Sequence, residues 1–280
     1  MKTLRAIALG LLIASGVAAE PLTILDANGT VLRFIDTTAP SVTLGMLNVT
    51  GMQSGEKLAA IDYRPSNGLL YGVGVVSSGA TRLYTINTNT GAATLVGNGA
   101  FHDFIGLSQL GMDFNPVVDR IRIISNVGFN LRVNPNDATA ITDTEVAFAP
   151  GDPNQSNQNS PLSLAYSNNV PGATTTTLYG IVSGNGPFLV TVGSPGGTPV
   201  SPNSGLMFTV GQTGLGGFFG FQQSMDISRR GIAYMVVDNN NILYTVNLAT
   251  GQATSLGKFP DGSVIMGLSA PTTARRHIVR

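Results

Sequence analysis

LYTVNLATGQATSLG, residues Leu243 to Gly257, decides the fold. The same fifteen positions occur as LYTINTNTGAATLVG from Leu83 to Gly97, with nine identities and no gap. Both copies read strand, turn, strand. Apolar residues alternate up to Asn87 and Asn247, a Thr-Gly pair turns the chain, and a Thr-rich strand returns.

Working outward, the centre of this hairpin recurs at Leu32, Tyr84, Leu131, Leu189 and Tyr244, spaced 52, 47, 58 and 55 residues apart. A period of that size marks a repeat architecture. A second motif precedes the hairpin in each unit: LAAIDYRPSNGLLYGVGV from Leu58, LGMDFNPVVDRIRIIS from Leu110, LSLAYSNN from Leu162 with LYGIVS after an insertion, and SMDISRRGIAYMVV from Ser224. Each reads as a strand, a polar turn and a second apolar strand. Together the two motifs make a four-stranded antiparallel blade.

The first unit lacks its inner strand, since Leu22 opens directly on TILDANGTVLRFID. VIMGLSA, Val264 to Ala270, supplies that strand from the far end of the chain. The expected fold is an all-β, five-bladed β-propeller, with the C-terminal strand pairing into the N-terminal blade to remove an open edge. The blades are 22–47 with 264–270, then 58–97, 110–148, 162–211 and 223–257. A β-sandwich with coincidentally similar hairpins is the alternative, and the constant order of the two motifs argues against it.

Composition agrees. Charged residues are 11%, Gly numbers 35, and 42% of residues are apolar, enough to build a core. Met1 to Ala19 reads as a signal peptide: Lys2 and Arg5, an apolar run from Ala6 to Val17, then a small-residue cleavage site at Val17-Ala18-Ala19. That run is too short for a membrane span. The expected order is a signal peptide (1–19), one propeller domain (20–270) and a polar, loose tail (271–280). The expected location is the periplasm or the extracellular space. Without cysteine, an exported chain must hold its fold by packing and ring closure. Three of the basic residues, Arg275, Arg276 and Arg280, lie in the tail, so the body is mildly acidic and nucleic acid is a poor partner.

GMDFNPVVDRIRIISNVGFNLRVNPNDATAITDT, the ATTTTLYGI stretch and the LYTVNLATG hairpin resemble the bacterial exported family known as domain of unknown function 4394. The resemblance covers roughly Leu22 to Leu268. It implies a secreted propeller-like domain and carries no catalytic residues to transfer.

Aligning the inner strands gives the column Asp62, Asp113, Ala165, Asp226, Gly267. Two positions earlier the column is mostly small (Ala60, Gly111, Ser163, Ser224, Ile265), and the apolar column between them points the other way (Ile61, Met112, Leu164, Met225, Met266). Three convergent carboxylates can bind Ca²⁺ or serve as acid and base in glycoside cleavage. The preferred reading is that each Asp stabilises the turn that follows it. In the second strand, Arg122 replaces the tyrosines Tyr71, Tyr179 and Tyr234, with Arg120 on the same face. That suggests an anion site or, preferentially, an ion pair with Asp113 or Asp119. NPNDATAITDTE, 134–145, aligns with the NTNTGAATLVG turn.

The loops joining one blade's outer strand to the next blade's inner strand are the expected binding face. They contain His102 and Asp103 in FHDF, and Phe218, Phe219 and Phe221 in QTGLGGFFGFQQ. A His-Asp neighbour pair without a nucleophile is weak evidence for catalysis. There is no HExxH, GxSxG, Walker or EF-hand pattern, and with two His a multi-His zinc site is excluded. The first expectation is a non-enzymatic, monomeric module that binds a glycan or an envelope or extracellular protein and needs no cofactor. The alternative is a hydrolase or lyase of carbohydrate or lactone using Asp62, Asp113 and Asp226, with Ca²⁺ as a possible cofactor. The third is a structural matrix component.

Overall fold

A computed structural model describes residues 18–103, 110–184, 186–216, 223–237, 241–259 and 265–273. The segment expected to be a signal peptide lies outside the described residues except for Ala18 and Ala19, as do Val264 and the tail arginines. Phe218, Phe219 and Phe221 lie outside them too. Among the described residues, no helix is long and apolar enough to cross a membrane.

Five small sheets stand in a ring, a five-bladed β-propeller. Blade one runs outward through Ile265–Ser269, Pro21–Asp26, Val31–Asp36 and Gly45–Asn48. Blade two is Lys57–Tyr63, Leu70–Val75, Ala80–Ile86 and Ala93–Val96. Blade three is Leu110–Asn115, Arg120–Ser125, Asn130–Val133 and Ala140–Thr142. Blade four is Pro161–Tyr166, Leu178–Val182, Phe188–Val192 and Leu206–Gln212. Blade five is Gln223–Ile227, Ala233–Val237, Ile242–Val246 and Ala253–Lys258.

The ring closes as expected. Thr23 pairs with Ser269, Ile24 with Leu268 and Leu25 with Gly267, antiparallel. The end of the domain extends past Ala270: Pro271 and Thr272 are buried, and the Thr272 hydroxyl donates to the Arg64 carbonyl.

One assignment changes. Ala147 and Phe148, read as the end of blade three, form a short parallel strand on the outside of blade four, pairing with Leu206 and Met207. The Gly205 and Met207 carbonyls accept the Ala147 and Ala149 N–H groups, and Phe148 packs beside Phe188 at 6.0 Å between ring centroids. Burying that ring draws the segment across the seam.

Period-two alternation gives each blade two apolar faces, one for each neighbour. In blade one, Leu22 and Ile24 pack against blade five with Tyr234, Val236 and Leu243, while Leu25 packs against blade two with Leu58 and Ile61. The five core clusters correspond to the five seams between blades.

The repeated hairpin has a local cause. The Asn87 side chain accepts the N–H of Asn89 at 2.9 Å, and Gly91, at φ +78°, closes the turn onto the Asn87 carbonyl. Asn247, Ala249 and Gly251 repeat this. Asn134 and Asn136 do the same in the third blade, with Ala138 taking the left-handed position at φ 60°. Gly91 has a second constraint: a Cβ there would stand 2.1 Å from the Asn48 carbonyl oxygen of blade one. The turn glycine therefore serves both φ and the approach of neighbouring blades.

Candidate functional site

The Asp column converges on the propeller axis. Asp62, Asp113 and Asp226 are each 1% exposed, and each offers a carboxylate oxygen within 4.8 Å of the others. A small pocket among the inner strands, lined by Ile61, Met112, Leu164, Met225 and Met266 and by none of the three carboxylates, leaves about 10 Å³ for water.

These carboxylates do not hold the turns that follow them. In the NPVVD turn, Asn115 accepts the N–H groups of Val117 and Val118; in RPSNG, Asn67 accepts Leu69; in SRRG, Ser228 accepts Arg230. The reason is strand length: each inner strand continues past its Asp, to Tyr63, Asn115 and Ile227, so the Asp lies inside the strand.

The carboxylates reach across seams instead. Asp62 accepts the Phe114 N–H of blade three at 2.8 Å, and Asp113 accepts the Tyr166 N–H of blade four at 2.9 Å. Asp226 of blade five accepts the Ala270 N–H at 2.6 Å, fastening the closing strand. The Ser269 hydroxyl lies 2.8 Å from Asp62 and 3.2 Å from Asp226. Asp62 and Asp226 also accept the N–H of the next residue in their own strands.

Burial pushes the Asp62 carboxyl up to about 7, against the pull of the Phe114 and Tyr63 amides and the Ser269 hydroxyl. Burial raises Asp113 and Asp226 well above the ordinary carboxylate range, and the neighbouring carboxylates add to both. Such a group shares protons at neutral pH as one coupled set.

Cross-strand register places Asp62 opposite Tyr71, Asp113 opposite Arg122, Ala165 opposite Tyr179 and Asp226 opposite Tyr234. Arg122 thus stands in the tyrosine column, as aligned from sequence. Its ion pair is with neither Asp113 nor Asp119. The guanidinium donates to Asp143 at 2.6 Å, to Asn130 at 2.7 Å and to Asn203 at 2.6 Å. Asp119 is taken by Arg64 of blade two, with its Nε at 2.8 Å from Oδ1. Arg132 lies directly opposite Arg122 and grips Asp143 with two bonds of 2.7 and 2.8 Å.

Beside this network is a cavity of about 350 Å³ at the seam of blades three and four. Arg120, Arg122, Arg132, Tyr166 and Asn203 line it. Its outer wall is the segment joining the two outer strands of blade four: the Pro202 carbonyl accepts from Asn130, and the Asn203 carbonyl accepts the Thr144 N–H. Tyr166 Oη and Arg122 Nε are buried and have no hydrogen-bond partner among the described residues. Burial without a partner is costly.

The candidate residues do not converge on one place. His102 and Asp103 form a two-residue strand against Thr81 and Ala80, with the His102 ring 5.5 Å from Phe129. That edge belongs to the end of the ring carrying the outer-to-inner connections. The cavity lies at the opposite end, with the inner-strand turns and the outer hairpin tips, and so does a second cavity of about 350 Å³ between Gly68–Leu70, Asn87–Asn89 and Thr273. Arg132, Asp143, Tyr166 and Asn203 were not singled out from sequence. Arginines facing each other at 122 and 132 were the available signal, since like charges directly opposite need an acid between them.

The model of the family "Domain of unknown function (DUF4394)" matches residues 31–269. The chain belongs to this family. No curated protein sequence matches it. Among solved structures, the nidogen/laminin complex aligns with TM-score 0.49 and 8% identity, covering 90% of this chain and 98% of that one. A Bacteroides caccae protein of unknown function aligns with TM-score 0.41 and 9% identity, covering 85% of this chain and 72% of that one. Myxococcus xanthus glutaminyl cyclase aligns with TM-score 0.44 and 9% identity, covering 74% of this chain and 77% of that one.

Proposed function

We propose that this DUF4394 protein is an exported, non-enzymatic binding module that takes its ligand in the cavity between blades three and four. One observation carries this reading. The cavity is preformed, large enough for a sugar-sized ligand, and walled by Arg122 and Tyr166, whose buried Nε and Oη lack partners among the described residues. Blade seams are rigid, so the donors need little reordering on binding.

Hydrolysis by the axial carboxylates gains no support. A substrate has no access to groups that are 1% exposed. Their oxygens already accept backbone N–H groups from three other strands. Calcium remains a secondary reading, motivated by the 4.8 Å convergence of the carboxylate oxygens.

The test is a calorimetric and thermal-shift panel of mono- and disaccharides against the mature protein and its Tyr166→Phe variant. Saturable binding that weakens in the variant is expected. Binding that is indifferent to Tyr166, or no binding to any member, refutes the cavity as the ligand site.

A further inference from the structure

We propose that the cavity between blades three and four is an oxyanion site, selecting ligands that carry a carboxylate or a sulfate or phosphate ester. The inference rests on the binding reading above and adds the chemical class. Three guanidinium groups, Arg120, Arg122 and Arg132, line the space. One carboxylate, Asp143, answers two of them. Of the other acids nearby, Asp119 is committed to Arg64 through both oxygens, and Asp137, which is exposed, is held by the Thr139 N–H and hydroxyl. Arg120 gives Nη1 to the Asp119 backbone carbonyl at 2.9 Å and makes no direct ion pair among the described residues, although Asp119 and Asp137 lie within reach of its charge. The wall is therefore cationic in a protein whose formal net charge is zero.

The polar groups lacking partners have the same sense. Arg122 Nε is a donor only, and the Tyr166 hydroxyl is a donor as well as an acceptor. The Arg122 guanidinium is held at its other two nitrogens by Asn130, Asp143 and Asn203, so its plane is fixed before any ligand arrives. Fixed guanidinium groups recognise planar carboxylate and tetrahedral esters alike. The two ligand sources are separated by experiment.

Titration calorimetry on the mature full-length protein uses sodium glucuronate, glucose, sodium sulfate, glucose 6-phosphate and sodium chloride at matched ionic strength. Glucuronate or the sulfate and phosphate probes should bind at least about tenfold tighter than glucose, a difference of about 1.4 kcal/mol. Arg120→Gln should lose about tenfold for the anion and nothing for glucose, and Arg120→Lys should recover part of it. Binding of glucuronate alone assigns a carboxylate ligand, and binding of sulfate and glucose 6-phosphate alone assigns an ester. Equal binding of glucose and glucuronate, weakened by Tyr166→Phe, overturns the oxyanion site and leaves the binding reading standing. A chloride effect equal to the others overturns the oxyanion site as well, because it is charge screening. No binding by any probe overturns both.

Discussion

The backbone N–H of Tyr166 in blade four donates to Oδ1 of Asp113 in blade three at 2.9 Å. The same tyrosine lines the cationic cavity. One residue therefore joins the axial carboxylates to the outer site, and the stability of the ring bears on the shape of the cavity.

Stability should fall as pH rises from about 4 to about 7. Asp62 is raised to about 7, and Asp113 and Asp226 are raised well above the usual range. Over that window the native state holds protons that the unfolded chain, with carboxyls near about 4, has lost. Asp119 and Asp143 have the opposite sign: the Arg64 contact lowers Asp119, and at Asp143 burial pushes upward but the Arg132 and Arg122 contacts together outweigh it, so their contribution is lost as pH falls below about 4. Thermal melts in chelator should therefore show a maximum near pH 4 to 5. Asp62→Asn should flatten the decline towards pH 8. A melting temperature that rises from pH 5 to 8 contradicts the shared-proton arrangement.

Added calcium tests the same groups independently. If the carboxylates share protons and accept N–H bonds, calcium gives no shift beyond that of ionic-strength-matched magnesium. A calcium-specific rise in melting temperature that grows with pH and disappears in Asp113→Asn would assign the axis to a cation instead.

The ring's closing strand should be indispensable. Asp226 accepts the Ala270 N–H at 2.6 Å, and Ile24 and Leu25 pair with Leu268 and Gly267. Ending the chain before Ile265 exposes the edge of Pro21–Asp26 and opens the seam cluster around Leu22, Tyr234 and Leu268. The truncated protein should aggregate or lose its cooperative melt. Ser269→Ala is milder: it removes one hydroxyl near Asp62 and Asp226, at a cost of about 1–2 kcal/mol. A soluble, cooperatively melting truncation shows that the ring does not depend on this strand.

Sequence carried the ring further than it carried the site. The Asn87/Asn247 turn and the Thr-Gly pair are local signals, and local hydrogen bonding produced them, so the hairpin repeat could be read directly. The Asp column was also visible, because period-two alternation puts equivalent inner-strand positions on the same strand face in every repeat. Its partners were not: Phe114, Tyr166 and Ala270 donate through backbone N–H groups, which leave no mark on residue type. Arg122 was placed in the right column with the wrong partner. Asp143 and Asn203 lie 21 and 81 positions away, and the connection between the outer strands of blade four that brings Asn203 in is longer than the hairpin tips of the other repeats.

Two glycines with nearly equal φ separate backbone strain from blade contact. Gly91 has φ +78° and Gly55 has φ +79°. A Cβ on Gly55 meets nothing within 4 Å, whereas one on Gly91 falls 2.1 Å from the Asn48 carbonyl oxygen. Gly55→Ala should cost only the left-handed penalty of about 1 kcal/mol. Gly91→Ala must also push blade two away from blade one, disturbing the bonds from Thr50 N–H to the Gly91 carbonyl and from Ala93 N–H to the Thr50 carbonyl. A total of about 3 kcal/mol or more is expected, at the upper end for a point mutation. Chemical denaturation of the two variants compares them directly. Equal costs would mean that the repeated Thr-Gly hairpin is set by turn geometry alone and that the blades tolerate separation at that contact.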